Sequence, residues 1–117
     1  MAFRFEDLLV WQKGMELNNQ IFFLSKKLPK DELYALTSQI KRASDSVVLN
    51  IAEGSTGQTK PVFKTFLNYS LRSAIEVVNC LILAHRRHYI IDEDFKRLYD
   101  DYETLVKMIT ALRNSLD

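Results

Sequence analysis

Residues 33–54 read LYALTSQIKRASDSVVLNIAEG. Leu33, Leu36, Ile40, Ala43, Val47, Asn50 and Gly54 follow one another at spacings of three and four. Such a seam lies along one face of a helix, and glycine is a residue type that ends helices. Beside the seam runs a polar stripe of Gln39, Arg42, Ser46, Asn50 and Glu53. The spacing predicts a helix over Asp31–Glu53, with Lys30 or Asp31 near its cap and acids in its first turn.

The flanking chain repeats this pattern three times. Upstream, Val10, Gly14, Leu17, Ile21, Leu24 and Leu28 form one apolar line, and Leu8, Trp11, Met15 and Phe22 a second beside it. They predict a helix over Asp7–Leu28 that Pro29 forbids from continuing. Downstream, Gly54-Ser55-Thr56-Gly57-Gln58 reads as a loop. Thr59 is a good cap for a third helix, with Pro61 tolerated in its first turn. That helix carries Phe63, Leu67, Ser70, Ala74, Val77, Leu81, Ala84 and His88 on one line and Leu71, Ile75, Val78 and Ile82 on the next. A fourth helix is expected from a cap at Asp92, with Phe95, Leu98, Tyr102, Leu105, Ile109, Leu112 and Leu116 as its seam. No strand alternation is visible. Four helices joined by short connections imply antiparallel neighbours. The expected fold is all-α, one antiparallel up-down-up-down four-helix bundle spanning residues 1–117.

Bulk properties narrow the function classes. The 117 residues are 47% hydrophobic with a net charge of +1, so no global field points to nucleic acid or membrane. The single cysteine, Cys80, sits in apolar VVNCLIL and excludes an intrachain disulfide framework. No uninterrupted apolar run approaches a membrane span, and MAFRFEDLLVW does not read as a signal peptide. The cytoplasm is the expected compartment, with no membrane partner.

The first and third helices each carry more apolar surface than one bundle seam needs. Part of the second line widens the core stripe. Even so, Phe22, Phe23, Phe66, Tyr69 and Ile75 cannot all point inward at helical spacing. Exposed apolar patches of about several hundred Å² mark contact surfaces, and a homo-oligomer is expected.

Three constellations invite chemistry. Antiparallel pairing of the second and third helices sets Arg42 level with Arg72 and near Glu76, and Glu53 near Pro61. Arg42, Glu53 and Glu76 then form either a ligand site or, with Asn50, a structural polar network or subunit contact. No nucleophile or metal pattern joins the two carboxylates, which favours the network. His85 and His88 share a helix face at i and i+3, but no third ligand has matching spacing. Lys26, Lys27, Lys30, Arg86, Arg87, Lys96 and Arg97 fall at one end of the bundle, with Asp31, Glu32, Asp92, Glu93 and Asp94. Cations ending helices and acids beginning them match the helix dipoles. The same cations, Lys26, Lys27, Arg86 and Arg87 first, are the candidates for phosphates of RNA or DNA. No aromatic–basic interleaving of the single-strand-binding kind is evident. GSTG at 54–57 follows a helix and is not a phosphate loop.

The residues also resemble a known family. Phe5-x-x-Leu8-x-x-Trp11 and Leu28-Pro29-x-x-Glu32-x-Tyr34-x-Leu36 are similar to the opening of the 23S rRNA intervening-sequence (four helix bundle) proteins. Gln39-Ile40-Lys41-Arg42-Ala43-Ser44-x-Ser46-Val47-x-x-Asn50-Ile51-Ala52-Glu53-Gly54 carries most of the likeness, which Phe63, Phe66, Leu67, Ser73 and Glu76 continue. Gly14 departs from an expected alanine, which would loosen the first helix, and Pro61-Val62 from a more polar entry. The resemblance implies a bacterial four-helix bundle, commonly a homopentameric ring, with no catalytic residues and no cofactor. A more distant likeness, to the accessory protein of diversity-generating retroelements, implies a reverse transcriptase and nucleic acid as partners. The expected function is a non-enzymatic ring-forming bundle binding RNA or DNA. The alternative is a protein-interaction scaffold without nucleic acid.

Overall fold

A computed structural model describes residues 1–57 and 59–117; Gln58, the end of the expected loop, lies outside them. Four helices carry the fold: α1 (Leu9–Ser25), α2 (Leu36–Gly54), α3 (Lys60–Arg86) and α4 (Asp92–Ser115). Short 3-10 turns at Arg4–Asp7 and Lys30–Glu32 precede α1 and α2. Successive helices pack side by side and α4 closes on α1, while among the described residues the diagonal pairs do not approach each other. This is the antiparallel up-down-up-down bundle, 43 × 23 × 23 Å.

Most of the predicted seam residues form the core, but on α2 Ile51 is buried in place of the half-buried Asn50, and His88 is exposed. Leu17, Ile21, Ile40, Val47, Ile51, Leu67, Leu81, Leu98, Leu105 and Ile109 are fully buried. Each contributes about 1.5–3 kcal/mol relative to exposure. The second lines divide. Leu8, Trp11 and Val78 pack against the core and Leu71 is buried, which widens the stripe. Met15, Phe22 and Ile75 stay exposed, as do Phe23 and Tyr69. The length and mean hydropathy of α3, 1.2 over its best window, match a membrane-crossing helix. In the bundle, however, Leu67, Ala74, Val77, Leu81 and Ala84 of this helix have no solvent exposure.

Helix ends differ from the sequence reading in informative ways. Residues 26–28 leave α1 through i→i−3 bonds, and the Ser25 hydroxyl donates to the Phe22 carbonyl at 2.7 Å. Leu33 was expected at the head of the α2 seam; it lies outside the helix and is half exposed. The chain breaks at Ala35 (φ −124°, ψ −102°), although nothing in Leu33-Tyr34-Ala35 disfavours a helix. The cause is tertiary. The Glu32 carboxylate accepts from Arg87 Nη1 at 3.0 Å and from the Tyr89 hydroxyl at 2.9 Å, anchoring the preceding turn to the α3–α4 corner. Asp92 was expected to cap α4; it is the first helical residue, and its carboxylate meets His85 Nε2 at 2.6 Å. Thr59 caps α3 as expected, its hydroxyl accepting from the Val62 N–H.

Gly54 is the last residue of α2, and its backbone is not left-handed; that conformation belongs to Gly57 (φ 84°). Position 54 needs glycine for a different reason. A Cβ there would meet Phe66 Cβ at 2.6 Å, so the close approach of α3 excludes a side chain.

Candidate functional site

The polar stripe of α2 faces α3 across an open groove of about 320 Å³ lined by Arg42, Ala43, Ser46, Ser73 and Glu76. Ser73 Oγ donates to Ser46 Oγ at 2.8 Å. Asn50 Nδ2 donates to Ser46 Oγ at 2.9 Å and to the Ser46 carbonyl at 2.8 Å. One turn along, the Ser70 hydroxyl donates to the Val47 carbonyl at 2.8 Å. These bonds fix the level-matching of the two helices. Arg42 and Glu76 do share the groove, but they form no ion pair within it. Glu76 Oε2 accepts from Gln39 Nε2 at 3.3 Å instead, and among the described residues Arg42 has no ion-pair partner. The Glu53 side chain is exposed and outside the network. The stripe is therefore two units: a hydrogen-bonded Asn50–Ser46–Ser73 relay, and a guanidinium standing open to whatever lies over the groove.

At the end of the bundle, ion pairing divides the charges. Glu32 holds Arg87, Asp94 holds Arg97 at 2.8 Å, and Asp92 holds His85, whose ring stacks on Phe95 at 4.2 Å. The Tyr89 hydroxyl donates to Glu32, which raises its pKa above the ordinary phenol value. Three of the five acids at this end are thereby engaged. Among the described residues Lys27, Lys30 and Arg86 enter no ion pair, and all three are exposed. His88 ends α3 in the left-handed conformation (φ 62°), which takes it out of helical register with His85. Among the described residues no three metal-ligating side chains gather.

One local cluster was not singled out in the sequence. Lys26 Nζ lies 4.5 Å from the Phe22 ring centre and 5.6 Å from that of Phe23, and the two rings meet edge to face at 5.4 Å. A cation and two exposed aromatics thus meet at the C-terminal end of α1. The signal was in the spacing: Phe22 and Phe23 stand four and three residues before Lys26, the positions that meet on a helix surface.

The fold and these contacts define a four-helix bundle whose unpartnered groups lie on its surface and at one end. Residues 6–111 match the family model described as 23S rRNA-intervening sequence protein, and the chain belongs to that family. Among solved structures it is similar to a protein of unknown function from the S23 ribosomal protein family of Bacteroides thetaiotaomicron. The two are 27% identical with a TM-score of 0.84, over 90% of this chain and 98% of that one. A comparison with curated proteins finds no match.

Proposed function

We propose that the chain is a non-enzymatic assembly module of the cytoplasm that forms a ring of like subunits, five by the family resemblance, and binds RNA or DNA at its basic end. The observation that carries the nucleic-acid reading is the uneven pairing there. Among the described residues ion pairs engage Glu32 and Asp94 and a hydrogen bond engages Asp92, which leaves Lys27, Lys30 and Arg86 open against the two acids Asp31 and Glu93, with Lys26 held on exposed aromatic rings. A ring repeats that surface in every subunit, and the summed field attracts phosphates. In this reading Lys26, Lys27 and Arg86 meet phosphates, and Arg87 ties the α2 entry to the α3–α4 corner.

The ring reading is supported by two separate apolar patches on opposite flanks of α3. Phe66 and Tyr69, with ring centres 5.9 Å apart, stand on the flank toward α2. Ile75, Val78, Tyr99 and Val106 line a groove between α3 and α4. Two different patches suit a head-to-tail contact, which closes into a ring when the rotation allows. Arg42 and Glu76 line the groove between α2 and α3 and are assigned to that contact, as are Asn50 and Glu53.

Titrating labelled RNA and DNA across a salt series tests the partner. Three phosphate contacts predict a slope of log affinity on log salt near about −2 for a single strand. Replacing Lys26, Lys27 and Arg86 together with Gln should flatten it. Absence of binding at low salt would leave the protein-interaction scaffold. Light scattering tests the ring: a clean 13.7 kDa species at micromolar concentration would exclude it.

A further inference from the structure

We propose that the cleft between α1 and α2 seats one unstacked nucleobase carrying an exocyclic amino group, from a single-stranded nucleic acid. This deepens the nucleic-acid reading and rests on it. The cleft has a volume of about 270 Å³ and is lined by Asn18, Asn19, Phe22, Lys41, Ser44 and Asp45. That is below the usual range for drug-sized ligands and suits one planar ring system.

Its wall is aromatic. Phe22 is 43% exposed, lines the cleft, and carries the Lys26 ammonium 4.5 Å from its ring centre. Every base has a π-face, and stacking on such a ring is worth about 1–3 kcal/mol per base. Phe23 meets Phe22 edge to face, with ring centres 5.4 Å apart.

The opposite side supplies a fixed acceptor. Asn18 Nδ2 donates to Asp45 Oδ1 at 2.8 Å and to Ser44 Oγ at 3.0 Å. Ser44 Oγ in turn lies 3.3 Å from the buried Tyr102 hydroxyl, so the carboxylate is braced from the core. Asp45 enters no ion pair among the described residues, and its second oxygen is open. A carboxylate repels phosphate, so the backbone cannot occupy this spot. It accepts well from amino groups on base edges, as in cytosine, adenine or guanine. Uracil and thymine offer no exocyclic amino group to it. Lys41, on the cleft wall, and Lys26, over the Phe22 ring and outside the cleft lining, are the cations left for the flanking phosphates. The arrangement orients a nucleotide with its base inward and its backbone outward.

The test uses the full chain with labelled twelve-nucleotide strands of A, C or U, their deoxyribose counterparts, and a duplex, all at fixed salt. The ribose and deoxyribose series separate RNA from DNA, and the base preference must appear in at least one. A and C strands should bind about tenfold more tightly than U or T strands. Phe22→Leu should weaken single-strand binding about tenfold, leave the duplex unaffected and keep the salt slope. Asp45→Asn should erase the base preference while the protein stays helical by circular dichroism. Equal affinity for all strands, unchanged in both variants, would overturn the cleft assignment and leave salt-dependent binding standing. A change in particle mass on Phe22→Leu would also overturn it, by making Phe22 a subunit contact. Failure of every strand and the duplex to bind at low salt would remove the nucleic-acid reading together with the cleft.

Discussion

Gly14 of α1 lies so close to α2 that a Cβ at position 14 would sit 2.9 Å from Val48 Cγ1. The sequence reading treats this glycine as a departure that loosens the helix. The structure shows it as a contact that permits close packing. Val48 is β-branched and 7% exposed, so it cannot swing aside cheaply. Gly14→Ala gains about 1 kcal/mol of helix propensity and meets an overpacking cost of about 1–3 kcal/mol. The expected result is a net loss near about 1 kcal/mol in urea unfolding. In a Val48→Ala background the same substitution should stabilise, because the clash is gone and the propensity gain remains. A gain from Gly14→Ala in the unmodified chain would refute the contact.

A strained position ends α3. The Tyr89 N–H bonds the Ala84 carbonyl at 2.9 Å and the His88 N–H bonds the His85 carbonyl at 3.0 Å, with His88 at φ 62°. This is the helix-ending motif that glycine usually fills. His88→Gly should raise stability by about 0.5–1 kcal/mol and the melting temperature by about a few degrees. His88→Val should lower both, because a branched residue fits this conformation worst. Equal melting temperatures for all three proteins would contradict the strain.

How far the fold was legible follows from which contacts are local. The seams Leu36–Ile40–Ala43–Val47 and Leu98–Tyr102–Leu105–Ile109 are periodic, and each is buried as spaced. Level-matching across the α2–α3 loop placed Arg42 near Glu76, and both line the same groove. What it could not give was the partner, since Gln39 reaches Glu76 from one turn away. The break at Ala35 was hidden because its anchor, Glu32 to Arg87, spans 55 residues. Gly14 was misread because helix propensity is a local quantity and interhelical distance is not. The α1–α2 cleft was invisible for a similar reason: Asn18 and Asp45 are 27 residues apart, and neither belongs to a recognisable motif.

Thr37 Oγ1 is buried without a hydrogen-bond partner among the described residues. A buried hydroxyl left unsatisfied costs about 1–3 kcal/mol, and valine has the same shape without it. Thr37→Val should therefore stabilise the bundle by about 1 kcal/mol. Thr37→Ser, which keeps the hydroxyl and removes a methyl, should destabilise it. If both variants lost stability equally, the hydroxyl would have a partner in solution.

Two buried groups give the bundle an alkaline limit. Burial pushes the Tyr102 hydroxyl from 10.0 to about 12; burial and then the Glu76 charge push the Cys80 thiol from 9.0 to about 11. In each case the folded state holds its proton after the unfolded state has lost it. Stability is then full below about pH 9 and falls as pH rises toward about pH 12, by about 1.4 kcal/mol per pH unit per group. Urea midpoints across this range should show that decline. Cys80→Ala should delay its onset by about one pH unit, to where tyrosine begins to titrate. A flat profile in the unmodified chain would show that neither group stays protonated when folded.

The proposed ring can be separated from the fold at Ile75. This side chain is 59% exposed within the subunit, so Ile75→Asp should change subunit stability by about 0.5 kcal/mol or less. At a subunit interface the same change buries an unpaired charge and should dissociate the particle. Light scattering should then report monomers, with helical content retained by circular dichroism. Arg42→Ala at the other flank should shift the dissociation midpoint about tenfold upward in concentration if the guanidinium finds its missing partner on a neighbouring subunit. An assembled particle that survives Ile75→Asp would place the contact elsewhere on the surface. A monomer in both the variant and the parent would leave the exposed α3 patches to a different protein.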